Sequence, residues 1–240
     1  MTDLGAVIQV IAFDIFGTTV DWHTGVTEQV AAEARRQGVD LDAARFADDW
    51  RGRYLPSMER VNTGAAEWAH LDALHRKSLD ELLAERGVAA AFDDAARRRL
   101  VHAWHRLPNW DDAAAGLARL RDRYVAAALS NGGFALLTHL VKAAALPFDC
   151  ILSAELAHAY KPAPEPYLTT ARLLDVRPDQ VLMVACHRWD LDGARGAGLR
   201  TAFVERPGEK GPHRTADRAE EVTADLHATS FTDLADRLGC

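Results

Sequence analysis

The chain opens on a short apolar run, Val7 to Phe13, rich in β-branched residues, that stops at Asp14 before a Gly17-Thr18-Thr19 turn. Such a run suits a strand buried on both faces. From about Thr24 to Leu107 the pattern becomes helical. Trp68, Leu71, Leu74, Leu79, Leu82 and Leu83 recur at mixed three- and four-residue spacings, the stripe of an amphipathic helix. Gly38, Asn62-Thr63-Gly64 and Gly87 divide this stretch into four helical pieces with no strand between them. After Pro108 the pattern alternates. Helical Ala113–Arg121 leads to apolar Tyr124–Leu129, and helical Phe134–Ala144 to Phe148–Leu152. Helical Glu165–Leu174 then leads to Val181–Ala185, and Leu191–Gly198 to Thr201–Val204. That alternation implies right-handed crossovers and a parallel sheet. The prediction is an α/β fold: a Rossmann-like parallel-sheet core formed by 1–22 and 108–240, with a four-helix cap inserted at 23–107.

Length and composition narrow the class. A chain of 240 residues buries enough surface to need neither disulfides nor metals for stability. At 48% hydrophobic and 26% charged it has the make-up of an ordinary soluble protein. The 28 basic residues against 35 acidic ones leave a net charge of −7, which gives no support to a nucleic-acid or anionic-membrane partner. The three cysteines, Cys150, Cys186 and Cys240, offer neither a disulfide framework nor zinc-ligand spacing and point to a reducing cytoplasm. No apolar run approaches the ~20 residues of a membrane span. The N-terminus lacks the basic start of a signal peptide.

Ligands of open α/β sheets bind beyond the carboxyl ends of the strands. Polar residues gather there. The first strand ends in Asp14 and Thr18, the second in Ser130-Asn131-Gly132-Gly133, and Tyr160-Lys161-Pro162 follows the third. The fourth ends in Cys186-His187-Arg188-Trp189-Asp190-Leu191-Asp192. Each signal has an ordinary explanation: an aspartate that caps a helix, a generic turn, a solvated lysine. Their joint placement after successive strands makes a site.

Phe13-Asp14-Ile15-Phe16-Gly17-Thr18 resembles the first motif of the haloacid dehalogenase superfamily, whose aspartate is a nucleophile. Ser130-Asn131 is similar to the second motif, Lys161 to the third, and the segment ending in Asp190 to the fourth. Most members are Mg²⁺-dependent phosphatases. They carry a second Asp where this chain has Phe16, and an acidic metal ligand where it has Cys186. A thiol is a poor ligand for Mg²⁺, which wants hard oxygen donors. The chain is more similar to the type II L-2-haloacid dehalogenases, whose first motif has an aromatic residue at the Phe16 position. Trp50-Arg51, Tyr167 and Trp189-Asp190 match further motifs of that family.

The resemblance implies a metal-independent hydrolase without cofactor, acting on a small anionic halocarboxylic acid through an ester on Asp14. In that scheme Thr18 orients Asp14, Lys161 keeps it ionised, and Asp190 positions or activates the hydrolytic water. Ser130 and the backbone around Ile15 and Phe16 hold the substrate carboxylate. Arg51, Asn131, Phe16 and Trp189 surround the departing halide, and Tyr167, which follows the lysine motif, is counted with them among the substrate- and halide-binding residues. A homodimer is implied as well. The family usually has Asn at the position of His187 and Ser at that of Ala185. A bulkier ring beside Arg51 and Trp189 is expected to tighten the halide pocket toward small halides, including that of fluoroacetate, or to share in water activation. The competing expectations are a phosphatase with a degenerate metal site and a catalytically silent binding protein. His23, His70, His75, His102 and His105 have no acidic or cysteine neighbours at ligand spacing and are read as packing or cap-surface residues. Arg97-Arg98-Arg99 is read as a solvated helix face, and Trp22, Trp68, Trp104 and Trp110 as packing for the cap or hinge.

Overall fold

The computed structural model describes residues 4–240. Strands β1 (Val10–Phe13), β2 (Val125–Ser130), β3 (Cys150–Ser153), β4 (Val181–Ala185), β5 (Arg200–Val204) and β6 (Leu226–Ala228) form one sheet. Their order is β3-β2-β1-β4-β5-β6, and every pairing is parallel. The chain leaves β1 toward one edge and returns at β4 to fill the other. The switch point, where ligands bind in such sheets, lies between β1 and β4. Both strands are buried along their whole length, as their apolar runs require. Side chains alternate between the faces: Ile11 and Phe13 enter one apolar cluster, Val10 and Ala12 the other.

Helices α1 (Leu4–Val7), α7 (Ala113–Arg121), α8 (Phe134–Ala143), α9 (Pro164–Leu173), α10 (Arg188–Gly196) and α11 (Phe231–Arg237) accompany the sheet. Between β1 and β2 the chain forms α2 (Trp22–Gln37), α3 (Ala43–Gly52), α4 (Tyr54–Asn62), α5 (Leu71–Glu85) and α6 (Asp94–Val101). Asp21, Asp42 and Asp93 cap α2, α3 and α6 by accepting backbone N–H bonds of 3.0, 3.0 and 2.7 Å.

The insert differs from the expectation in one respect: it holds five α-helices rather than four. The break falls at Arg53, whose N–H closes a short turn on Trp50. Pro56 explains it. A proline has no N–H to bond four residues back, so it fits the first turn of a new helix and not the interior of a long one. The first strand starts at Val10, later than its apolar run, because Leu4–Val7 coils into a helical turn. Strand β6 and α11 escaped the pattern; three residues with a half-buried start carry little periodicity.

The arginine run is a solvated face only in part. Arg98 and Arg99 keep exposed side chains, Arg99 while reaching Glu33 on α2, but Arg97 bonds Asp80 and the carbonyls of Ala89 and Phe92. Trp22 and Trp104 are fully buried and stack 6.1 Å apart, with Trp50 edge-on to Trp104. These rings and the sheet face bearing Phe13 belong to one apolar cluster. Among the described residues no helix is long and apolar enough to cross a membrane.

His75 is stacked on Trp104 at 4.5 Å, and neither ring nitrogen finds a hydrogen-bond partner among the described residues. Burial lowers its pKa from 6.5 to about 3, with Arg51 and His105 adding to the effect and Asp72 opposing it. The unfolded chain therefore takes up this proton first. Stability from a neutral His75 is full above pH 6.5 and falls as the pH drops toward about 3. His75→Phe, which keeps the ring and removes two unpaired polar atoms, should flatten that part of the stability–pH curve and raise stability by about 1 kcal/mol. Urea unfolding at several pH values measures both.

Candidate active site

The site is built on the carboxyl ends of β1, β2 and β4. The backbone of Asp14 still bonds β4, its N–H donating to Val184 O at 2.9 Å. The chain then folds back at once: Thr19 and Val20 N–H both donate to Ile15 O, and Gly17 N–H to Val20 O. Gly17 sits at φ +92°, in the left-handed region. A Cβ there would lie 2.6 Å from the Glu209 side chain. This turn brings Thr18 over the carboxylate, its hydroxyl donating to Asp14 Oδ2 at 2.8 Å, and Thr19 donates to Asp14 O at 2.6 Å.

Lys161 is 1% exposed and uses all three donors of its ammonium. It bonds Asp14 Oδ1 at 3.1 Å, Asp190 Oδ2 at 2.5 Å and Leu129 O at 3.0 Å. Asn131 pins the same residue by its backbone, accepting from Lys161 N–H at 2.7 Å and donating to Lys161 O at 3.1 Å. Asp190, in the first turn of α10, accepts from Tyr167 Oη at 2.7 Å with its other oxygen. Tyr167 thus serves Asp190 and is fully buried there. Ser130 is fully buried and accepts from Gly132 N–H at 3.1 Å. Phe16 lies edge-on to Tyr54 and Trp104.

His187 caps the top of β4. Its Nδ1 lies 3.2 Å from Asp14 Oδ2, its Nε2 lies 3.1 Å from Glu209 Oε1, and its ring stacks on Trp189. Glu209 is 2% exposed and also accepts from Trp22 Nε1 at 2.7 Å. Nothing in the sequence pattern singled Glu209 out. It lies in the irregular segment between β5 and β6, beyond every motif, and the crowding of Gly17 against it becomes visible only in three dimensions.

Arg51 reaches down from the end of α3. Its guanidinium lies over the Tyr54 ring at 3.9 Å and near Trp22 at 5.3 Å, within cation–π range of both. Its Nη1 is buried without an acceptor among the described residues. A buried, unpaired guanidinium N–H is costly and calls for an anion. Arg51, Tyr54, His187, Trp189 and Glu209 line a cavity of about 110 Å³. A second cavity of about 270 Å³ touches Lys161, Met58 and Asn62, and shares Leu55 and Trp189 with the first.

Electrostatics arm this cluster. Burial alone would raise the pKa of Asp14, but Lys161, His187 and the Thr18 hydroxyl hold it well below the usual carboxylate range. Burial opposes the Lys161 ammonium, and Asp14 and Asp190 outweigh it, so its pKa is raised. Burial raises Asp190, with Asp14 adding to it and Lys161 opposing. His187 is opposed by burial too, yet Cys186, Glu209 and Asp14 lift it well above the ordinary histidine value. Glu209 falls to about 2 because His187, Arg51 and Trp22 outweigh its burial. Asp14 is a buried, ionised carboxylate held between Lys161 and His187.

The sheet order, the helical insert and an ionised aspartate at the end of the first strand mark an α/β hydrolase with an inserted helical part. A family model for haloacid dehalogenase-like hydrolases matches residues 8–198, and the chain belongs to that family. It is 30% identical to the (S)-2-haloacid dehalogenase of Xanthobacter autotrophicus over 202 residues, 83% of this chain and 76% of that one. The crystal structure of the defluorinating L-2-haloacid dehalogenase Rha0230 matches at a TM-score of 0.93 and 42% identity, covering 97% of this chain and 96% of the other. An L-2-haloacid dehalogenase structure from X. autotrophicus, with chloropropionic acid covalently bound, matches at a TM-score of 0.81 and 26% identity over 95% and 97% of the chains.

Gly17→Ala should cost at least about 1 kcal/mol through the left-handed backbone alone. It should lower turnover further by pushing Glu209 off His187. Thermal unfolding and initial rates check the two effects separately.

Proposed function

We propose that the protein hydrolyses short 2-halocarboxylic acids, among them L-2-halopropionates and haloacetates, to the 2-hydroxy acid and halide. The observation that carries the reading is the pairing of an ionised Asp14 with Arg51 Nη1, a buried donor lacking an acceptor, inside an aromatic cage. A carboxylate nucleophile beside an anion-binding pocket suits displacement of a halide.

The donors on Asp14 divide its two oxygens. Oδ1 has one, Lys161, while Oδ2 has two, Thr18 and His187. Oδ1 attacks C2 of the substrate, and the carbon–halogen bond breaks with its electron pair leaving as halide. Arg51 meets a charge that develops only as this bond breaks, so its contribution falls on the transition state. Oδ2 becomes the carbonyl oxygen of the ester. When water adds to the Asp14 carbonyl carbon, negative charge gathers on that oxygen, where Thr18 at 2.8 Å and His187 at 3.2 Å already stand as donors. The water's proton passes to Asp190, made more basic by burial and held by Lys161 and Tyr167. Collapse of the adduct breaks the bond to the substrate oxygen, which takes the proton held by Asp190 and leaves as the hydroxy acid, while the second water proton passes to solvent and the carboxylate is restored. Ser130 and the backbone of Ile15 and Phe16 hold the substrate carboxylate, and Asn131 acts by fixing Lys161.

Mg²⁺, used by the family's phosphatases, does not fit these residues. The oxygens of Asp14 face two cations, and the side chain at the position of the phosphatases' acidic ligand is the Cys186 thiol rather than a carboxylate. No step runs through it.

The cavity lined by Arg51, His187 and Trp189 is small, and the resemblance to a defluorinating enzyme supports fluoroacetate as a substrate. Asp14→Asn should lower halide release by at least about 10³-fold, and Arg51→Gln by about 10²–10³-fold, mostly in kcat. Halide release from 2-chloropropionate, with a phosphate ester alongside, measures both; full activity in Asp14→Asn sinks the mechanism. An ion-selective electrode should detect fluoride from fluoroacetate, and His187→Asn should lower the fluoride-to-chloride rate ratio. Rapid chloride release without any fluoride would refute the small-halide reading.

A further inference from the structure

Cys186 takes no part in the reaction above, although its thiol is buried beside the nucleophile. Its Sγ lies 3.6 Å from His187 Nε2, which lies 3.1 Å from Glu209 Oε1, and the three ligand atoms fall within 4.8 Å of one another. We propose that Cys186, His187 and Glu209 form a binding site for a borderline-soft divalent cation of the zinc type, and that its occupation inhibits the enzyme. The inhibition rests on the dehalogenase reading; the binding does not.

The geometry is close to what such an ion needs. Tetrahedral zinc, with bonds of about 2.3 Å to sulfur and about 2.0–2.1 Å to nitrogen and oxygen, sets sulfur and nitrogen about 3.6 Å apart and nitrogen and oxygen about 3.4 Å apart. The observed 3.6 and 3.1 Å need little adjustment, and the sulfur and the Glu209 oxygen, within 4.8 Å of each other, must draw to about 3.6 Å. The groups behind the ligands are also in place. His187 Nδ1 faces Asp14, the carboxylate–histidine arrangement that orients a metal-bound imidazole. Thr18 Oγ1 lies 3.4 Å from the sulfur, and Trp22 Nε1 donates to Glu209. Three protein ligands leave a fourth position for water or halide, and the adjoining cavity of about 110 Å³ has room for it.

Charge does not oppose loading. Both ring nitrogens of His187 face carboxylate oxygens, so the resting ring carries two protons. The ion replaces the Nε2 proton and the Cys186 thiol proton, both of which pass to water. Two positive charges leave as one dication enters, and the buried cluster keeps its net charge. Magnesium is excluded by the same ligands, since thiol and imidazole suit zinc, cobalt or copper instead. An ion here stands where Arg51 and His187 receive the halide, and it ties Asp14 to a metal-bound ring.

The test uses the native protein. Titration with Co²⁺ should give thiolate-to-metal charge-transfer absorption that saturates at one equivalent and is displaced by Zn²⁺. Zn²⁺ should stop halide release, and EDTA should restore it. Cys186→Ser should abolish the absorption and weaken Zn²⁺ binding, read by a competing indicator dye, by at least about tenfold. His187→Asn, a second variant in case the first fails to fold by circular dichroism, should weaken binding similarly. Cys150→Ser and Cys240→Ser should leave the absorption unchanged. No absorption in the native chain, or a band that survives Cys186→Ser and vanishes with either other cysteine, overturns the site. A saturated site with undiminished halide release overturns the inhibition. A chain that releases no halide with or without metal overturns the dehalogenase reading and the inhibition together, while the band still decides the site.

Discussion

The ammonium of Lys161 is the interaction on which the rest of the molecule turns. Two carboxylates, Asp14 and Asp190, lie on it inside a protein where all three groups are nearly inaccessible. Removing charges from water costs several kcal/mol apiece, and an unpaired member of such a trio would be strongly destabilising. The surrounding structure meets that cost group by group. Asn131 fixes the lysine backbone, Leu129 O takes its third proton, Tyr167 satisfies the far side of Asp190, and Thr18 and His187 satisfy the far side of Asp14. Strands β1, β2 and β4 exist in this order so that their ends can deliver these groups to one point.

The helical insert completes the arrangement from above. An arginine on a mobile side chain in water makes a poor anion receptor. Here Tyr54, Trp22, Phe16 and Trp104 surround the Arg51 guanidinium. The rings hold it by cation–π attraction without consuming its N–H donors, which remain available for a ligand. The same aromatic residues continue into the apolar cluster shared with the sheet, so the position of the receptor depends on the packing of both parts of the chain.

Much of this was legible in the sequence. The parallel sheet, the inserted helices and the gathering of Asp14, Lys161 and Asp190 followed from runs, periodicity and strand ends, because buried parallel strands and their helices carry strong patterns. Three kinds of feature did not show. Pro56 splits a helix whose amphipathic stripe runs on through it. Tyr167 and Asn131 carry motif positions, yet their side chains hold other residues in place, and motif spacing does not distinguish the two tasks. Glu209 is held by tertiary contact alone, in a segment without periodicity, although it completes the environment of His187. The ion pairs of the arginine run of α6 escaped notice for a related reason: its acidic partners on α2 and α5 are distant in sequence.

The loop that carries Lys161 is also fastened to the insert. Asn62 brackets the backbone of Tyr160 with two hydrogen bonds of 2.8 and 2.9 Å, Trp68 stacks on the Tyr160 ring, and Tyr160 Oη donates to Ala69 O. Tyr160 is the immediate neighbour of Lys161. The lysine that pairs with Asp14 is therefore held in place by the insert as well as by the sheet. The charge of the site and the roof above it are thus spliced together at one dipeptide, Tyr160-Lys161.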